Sequence, residues 1–298
     1  MTSWGIPVDT IAKLSGQPAP GNLYYEIATR QEKVMKAPEK ILYNTIHLPE
    51  TRCIYFDDNK QMDFTGRIVA VFANQLEENK LNLVILDQSC FYPTSGGQQN
   101  DTGTLTIEGL DVVCNVVDAI KVGKCVLHKI DQELPADVDF TGRTVNGSVN
   151  AERRAQMQAH HTGTHLVFAA CRKVLGPHVW QAGAKKTEKK AHLDITHFQS
   201  ISRAQEQEIE NTANRLINAG HNISKGFMNK AEAEQQFGFS LYQGGIVPGN
   251  SLRVVNIEGV DTEACCGTHA DNTSEVGWVR ILRSSRISDG IVRLEYVC

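Results

Sequence analysis

Residues 150–177 read NAERRAQMQAHHTGTHLVFAACRKVLGP. Asn150 is a favourable N-cap, because its side chain accepts a hydrogen bond from an otherwise orphaned amide of the first turn. Gly176-Pro177 is a strong stop, since glycine takes the conformation that ends helices and proline cannot extend one. Between them, Ala151–Leu175 is predicted to be one long helix. Met157, His161, His165 and Phe168 recur at spacings of four, four and three, which sets them on one face of a 3.6-residue helix. Two imidazoles therefore share a face with apolar residues.

The chain reads differently on either side of this helix. Upstream, Ile68–Phe72, Leu81–Asp87, Val112–Val117 and Cys125–Ile130 are short runs rich in β-branched residues. Glu78-Asn79, Gly96-Gly97 and Val122-Gly123 punctuate them, and strands at this spacing suggest a small barrel. Residues 1–45 look irregular and helical, broken by Pro7, Pro18, Pro20 and Pro38, with a helix over Tyr24–Lys36. Downstream, Ser202 and Gln205 form a capping box that opens a second helix, which carries Ile209, Ala213, Leu216 and Ile217 and stops at Gly220. Arg253–Ile257 is read as a strand, and Val276–Arg283 and Ile291–Val297 as a pair joined through Ser288-Asp289-Gly290. The predicted fold class is α+β: an N-terminal helical segment (1–49), a small β-barrel domain (50–147), and an α/β core (148–298).

The 298 residues fit two domains and an extra segment. At 41% hydrophobic and 21% charged, the composition is that of a globular protein. No apolar run approaches the ~20 residues of a membrane helix, and the first 16 residues lack the pattern of a signal peptide. The expected location is cytoplasmic, without a membrane partner. Eight cysteines in this length make no dense disulfide framework. Cys53, Cys90, Cys114, Cys125 and Cys171 stand singly and are read as buried small hydrophobes. The net charge is −4, yet residues 146–230 hold 12 basic against 6 acidic side chains. A polyanion would be met there, although a solvated basic face has the same composition.

His161-Thr162-Gly163-Thr164-His165 places two imidazoles one turn apart on a helix, a spacing that chelates a single ion. Far downstream, Cys265-Cys266-Gly267-Thr268-His269 offers a thiolate and a third imidazole, with a glycine that permits a tight loop. Three imidazoles and one thiolate suit a borderline-soft ion, for which Zn2+ is the default. Either pair alone is a weak signal; the two together are stronger. His160 lies about 100° around the helix from His161 and fits the face less well. Spacing does not choose between Cys265 and Cys266. A metalloprotease is disfavoured, because the helix lacks the Glu beside the first His that would act as base.

These residues belong to a longer ordered set: Phe91-Tyr92-Pro93-Thr94-Ser95-Gly96-Gly97-Gln98, the His161–His165 pair, Val179-Trp180-Gln181-Ala182-Gly183, Leu193-Asp194-Ile195-Thr196-His197, Cys265–His269 and Val279-Arg280-Ile281-Leu282. Over roughly residues 60–298 the chain resembles the editing region of archaeal-type alanyl-tRNA synthetases and the AlaX-type alanyl-tRNA editing proteins. Trp4-Gly5-Ile6-Pro7 resembles the end of the tRNA-recognition region that precedes editing. No room exists for a class II aminoacylation domain, and the oligomerisation domain is absent, so an excised synthetase fragment is expected over a free-standing protein. The family's usual motif has Gly where this chain has Cys266, and Pro where it has Gln99.

The resemblance implies His161, His165, Cys265 and His269 as zinc ligands, and hydrolysis of wrong aminoacyl esters on the 3′ acceptor end of tRNA(Ala). Serine and glycine are the expected cargo. One hydroxyl or one methyl group is worth only about 1–3 kcal/mol of discrimination, so a second, hydrolytic site is needed. Gln181, Thr164, Gly96, Gly97 and Gln98 are the implied catalytic positions. Lys185, Lys186, Asp194 and Arg153 are the implied substrate-binding positions, with Lys189 and Lys190 in the same basic cluster for phosphates. The alternative is a catalytically silent tRNA-binding module with a structural zinc.

Overall fold

The computed structural model describes residues 15–17, 43–73, 82–135, 137–242, 247 and 249–298. The predicted helix Tyr24–Lys36 and most of the predicted segment 1–49 lie outside these residues. From Tyr43 onward, two compact units are distinguished: Glu39–Gln158 with Gly267–His269, and Ala159–Cys266 with Ala270–Cys298.

Alternation writes the first unit. Burial along β6 (Thr144–Val149) switches residue by residue, as expected where one sheet face is covered and the other is wet. With β1 (Asp63–Ala73), β2 (Asn82–Leu86), β3 (Gly103–Ile107), β4 (Val113–Val122) and β5 (Cys125–Ile130), it pairs in the order β1-β2-β5-β4-β3-β6, and β6 returns to β1. Every pairing is antiparallel, and the ring is a closed barrel. Phe64, Ile68, Val84, Leu86, Phe91, Leu105 and Val116 fill one core. β2 is buried on both faces, so Leu83 and Ile85 join Tyr43, Cys125 and Leu127 in a second cluster. Gly147 is required for closure: a Cβ there would lie 2.3 Å from a ring carbon of Phe64.

Helix α1 (Ala151–Leu175) has the predicted bounds. Asn150 Oδ1 accepts from the Arg153 amide at 3.0 Å, and Gly176, at φ 118°, donates to the Arg172 carbonyl. The boundary between the two units falls within α1.

The second unit continues with β7 (Gln181–Lys186), β8 (Ala191–Thr196), α2 (Arg203–Asn218), β9 (Ile223–Asn229), α3 (Lys230–Phe237), β10 (Ser251–Ile257), β11 (Asp261–Ala264), β12 (Arg280–Ser288) and β13 (Ile291–Val297). They form an antiparallel sheet β12-β13-β8-β7 and a second one, β9-β10-β11. The Ser202–Gln205 capping box opens α2 as predicted. Leu166, Val167 and Phe168 of α1, Ile209 and Ala213 of α2, and Leu193, Ile195, Val255, Ile257 and Leu294 of the sheets make one core.

One strand needs correction. The predicted strand Val276–Arg283 begins only at Arg280. Thr273–Val276 is instead a 3-10 turn, capped by Asn272 and ended by Gly277 at φ 79°, a conformation a strand residue does not take. Among the described residues no helix is long and apolar enough to cross a membrane.

Candidate metal centre

α1 supplies two of the four predicted donors. His161 and His165 are each 3% exposed, with ring centroids 6.0 Å apart. The residues between them do packing work. A Cβ on Gly163 would stand 2.5 Å from Cys298 Sγ, so glycine lets the helix approach the end of β13. Thr162 Oγ1 accepts from the Ala270 amide at 3.1 Å, tying the helix to the residue after His269. Thr164 Oγ1 donates to the His160 carbonyl at 2.8 Å and meets the Tyr296 hydroxyl at 2.5 Å, so this implied catalytic group is buried and spent inside the fold. His160 turns to the Thr187 carbonyl instead of joining the other two imidazoles.

β11 supplies two groups that the sequence reading did not identify, and the third donor, Cys265, follows just past its end. Glu263 pairs with Val255 and Asp261 with Ile257, and both of those partners lie in the main core. Cross-strand partners share a face, so Asp261 and Glu263 point inward, and Cys265 follows at the same two-residue period. The Cys265 backbone is held at both ends by buried Arg253: its amide donates to the Arg253 carbonyl at 3.0 Å, and its carbonyl accepts from Nη1 at 2.9 Å. The signal was present as Asp261-x-Glu263-x-Cys265, but it covers too few residues to be read as a strand alone.

In the first unit, the 267–269 segment is bracketed by buried Gln98. Its Nε2 donates to Thr268 Oγ1 at 2.8 Å, and its Oε1 accepts from the Thr268 amide at 3.1 Å. Asn59 Nδ2 donates to the His269 carbonyl. Gly96 and Gly97 turn the chain at φ 54° and 74°, so that Ser95 and Gln98 pair across the turn. The implied catalytic Gln98 is thus a brace for the residue before a donor.

The donor atoms of His161, His165, Cys265 and His269 all lie within 4.8 Å of one another. Cys265 Sγ is 3.4 Å from His161 Nε2, close to the roughly 3.3–3.8 Å edge of a tetrahedron with zinc bond lengths. Cys266 is exposed and lies outside the group, whereas Cys265 lies within it. His165, Asp261 and Glu263 form a second group of the same tightness. His165 Nδ1 is 2.8 Å from Asp261 Oδ2 and 3.5 Å from Glu263 Oε2.

The electrostatics favour a cation. Burial opposes charge on His165, but Glu263 and Asp261 outweigh it and raise the ring well above its ordinary range. Burial, then the neighbouring Asp261, pushes the Glu263 carboxyl well up. Among the described residues, buried Glu263 Oε1 has no hydrogen-bond partner, a costly state for a carboxylate that a nearby dication would relieve. The donor set and the orphaned oxygen both fit a borderline-soft dication.

The implied substrate residues are less uniform. Lys186 does not share the exposed face of Lys185 and Lys189. It is 2% exposed, and burial lowers its pKa against the opposing influence of Cys265 and Glu263. This corrects the expectation of a single phosphate-facing cluster: adjacent strand residues point to opposite faces. Lys190 pairs with Glu295, and Asp194 is held by Arg293 at 2.7 and 2.8 Å. Arg153 donates to the Asn100 carbonyl at 3.0 Å. Gln181 is turned by a bulge. Gly183 faces Asp194, but Gln181 faces Ile195, so Ala182 is the extra residue and Gln181 takes the core side of the sheet.

A family model described as threonyl and alanyl tRNA synthetase second additional domain matches residues 252–295, the stretch that holds Cys265 and His269. A second, tRNA synthetases class II (A), matches residues 2–153. The alanine–tRNA ligase of Methanosphaera stadtmanae is 39% identical over 300 residues, 99% of this chain. The chain belongs to the alanyl-tRNA synthetase family. Other members include the alanine–tRNA ligases of Pyrococcus abyssi, 40% identical over 94% of the chain, and Methanopyrus kandleri, 38% identical over 99%. The chain spans about a third of the length of these synthetases, 32%, 29% and 32% respectively.

Proposed function

We propose that this chain is the editing part of an alanyl-tRNA synthetase and hydrolyses serine and glycine esters from mischarged tRNA(Ala) with the help of zinc. The observation that carries this reading is the convergence of His161, His165, Cys265 and His269, two pairs about a hundred residues apart in sequence. Bound zinc would polarise the ester carbonyl or a water molecule. His161, His165, Cys265 and His269 would hold the ion. Gln98 keeps the Thr268 backbone in place, and the bulge turns the Gln181 amide to the side of the sheet that faces α1, where it can bond polar groups of the substrate. Exposed Lys185 and Lys189 are offered to the phosphates of the acceptor end. The matching domain division is a barrel over 50–147 and an editing core over 148–298.

One observation favours the rival reading of a tRNA-binding module with a structural zinc. Four protein donors would leave a bound zinc no free position, whereas catalytic zinc usually keeps one open. Deacylation of Ser-, Gly- and Ala-tRNA(Ala) with purified protein, with and without chelator, separates the two. The proposal expects release of serine and glycine that zinc-stripped, folded protein loses and added zinc restores. No release from any substrate supports the module, and full activity after stripping removes zinc from the chemistry.

A further inference from the structure

Buried carboxylates are rare because they are expensive: each must find a partner or lose its charge. β11 places two of them on the core side, opposite Val255 and Ile257, where the alternation of the sheet calls for apolar residues. Both aim at a single atom. Asp261 Oδ2 is 2.8 Å from His165 Nδ1, and Glu263 Oε2 is 3.5 Å from the same nitrogen. The side chains of His165, Asp261 and Glu263 are 3%, 11% and 7% exposed, so no solvent competes for that nitrogen. A ring with Nδ1 engaged has one nitrogen left for a metal.

We propose that Asp261 and Glu263 are positioning residues for the metal: Asp261 accepts the Nδ1 proton of His165, Glu263 stands behind it, and Nε2 is thereby the only nitrogen His165 turns to the ion. The inference rests on the metal reading above. Fixing the ring removes a rotational choice before the ion arrives, and a carboxylate on the far nitrogen makes the near one a stronger donor. The two carboxylates also supply negative charge that a dication would offset, which accounts for their being kept in the core although Glu263 Oε1 has no hydrogen-bond partner among the described residues. Asp261 and Glu263 of β11, and Cys265 just past its end, thus line the centre at two-residue intervals.

The test uses zinc affinity of the whole chain, measured by competition with a chromophoric chelator in the absence of tRNA. Asp261→Ala is expected to weaken zinc binding tenfold to a hundredfold, the usual effect of removing a partner of a metal-bound histidine. Asp261→Asn, whose amide oxygen still accepts, is expected to lose less, and Glu263→Gln to fall between wild type and Asp261→Ala. Far-UV circular dichroism of the zinc-free variants controls for folding. Nitrogen-15 NMR of the zinc-loaded wild type reads the same geometry without any mutation: Nδ1 protonated and Nε2 metal-shifted is expected. Coordination through Nδ1, or an Asp261→Ala affinity within threefold of wild type, overturns the inference and leaves the zinc reading standing. A wild-type chain that takes up no zinc overturns both.

Discussion

Replacing Gln98 with alanine tests whether its amide fixes the residue before His269. Gln98 is fully buried, and both ends of its amide are used on Thr268, itself 1% exposed. The alanine variant leaves a buried backbone N–H and a buried hydroxyl without partners. Each such group costs about 1–3 kcal/mol, so a stability loss of about 3 kcal/mol is expected. A second effect concerns zinc. Releasing Thr268 frees the residue before His269, and ordering one backbone residue again on binding costs about 1–2 kcal/mol. At 1.4 kcal/mol per factor of ten, zinc affinity should fall about tenfold. Urea denaturation of the zinc-free protein gives the first number and chelator competition the second. Loss of stability with unchanged zinc affinity would refute the brace, because His269 would then be positioned without Gln98. Loss of neither would show that the two hydrogen bonds carry no net weight.

Other consequences follow from single features. Cys266→Ser is expected to leave zinc stoichiometry unchanged and Cys265→Ser to reduce it, measured by metal analysis after gel filtration, since only Cys265 lies in the four-donor group. Adding zinc at about a thousand times its Kd should raise stability by about 4 kcal/mol, seen as a higher Tm that chelator reverses. His128 is sealed in the barrel, and burial lowers its pKa to about 4. The unfolded chain binds this proton below about pH 6.5 and the folded chain does not, so stability should fall as pH drops from about 6.5 to about 4, by about 3 kcal/mol in all. Denaturation curves across that window, flattened in His128→Gln, check it. Phe168→Ala should cost about 3–5 kcal/mol by the same assay, because the ring is fully buried in the main core.

Local chemistry alone makes α1 and α2 legible in the sequence. A cap, a stop and a 3.6-residue period act within one segment, so Asn150, Gly176 and the Ser202–Gln205 box determine where those helices begin and end. The strand over Cys125–Ile130 is legible for the same reason, since β-branched residues and a glycine turn mark it locally. β7 is not. Its sequence, Gln-Ala-Gly-Ala-Lys-Lys, has no β-branched residue, and it is a strand only because Leu193 and Asp194 of β8 lie beside it. The four donors can be nominated from spacing and resemblance: His161 and His165 sit one turn apart on a helix, and Cys265 and His269 are implied by the resemblance. Tertiary structure alone decides the rest. Cys265, just past the end of β11, joins the donor group, whereas Cys266 is exposed and lies outside it. Lys186 is separated from Lys185 by the same alternation, Gln181 is turned by a one-residue bulge, and Gln98 is bound to a loop 170 residues away in the chain. Each depends on which segment lies next to which, and that is settled by the packing of each unit and not by any single stretch of chain.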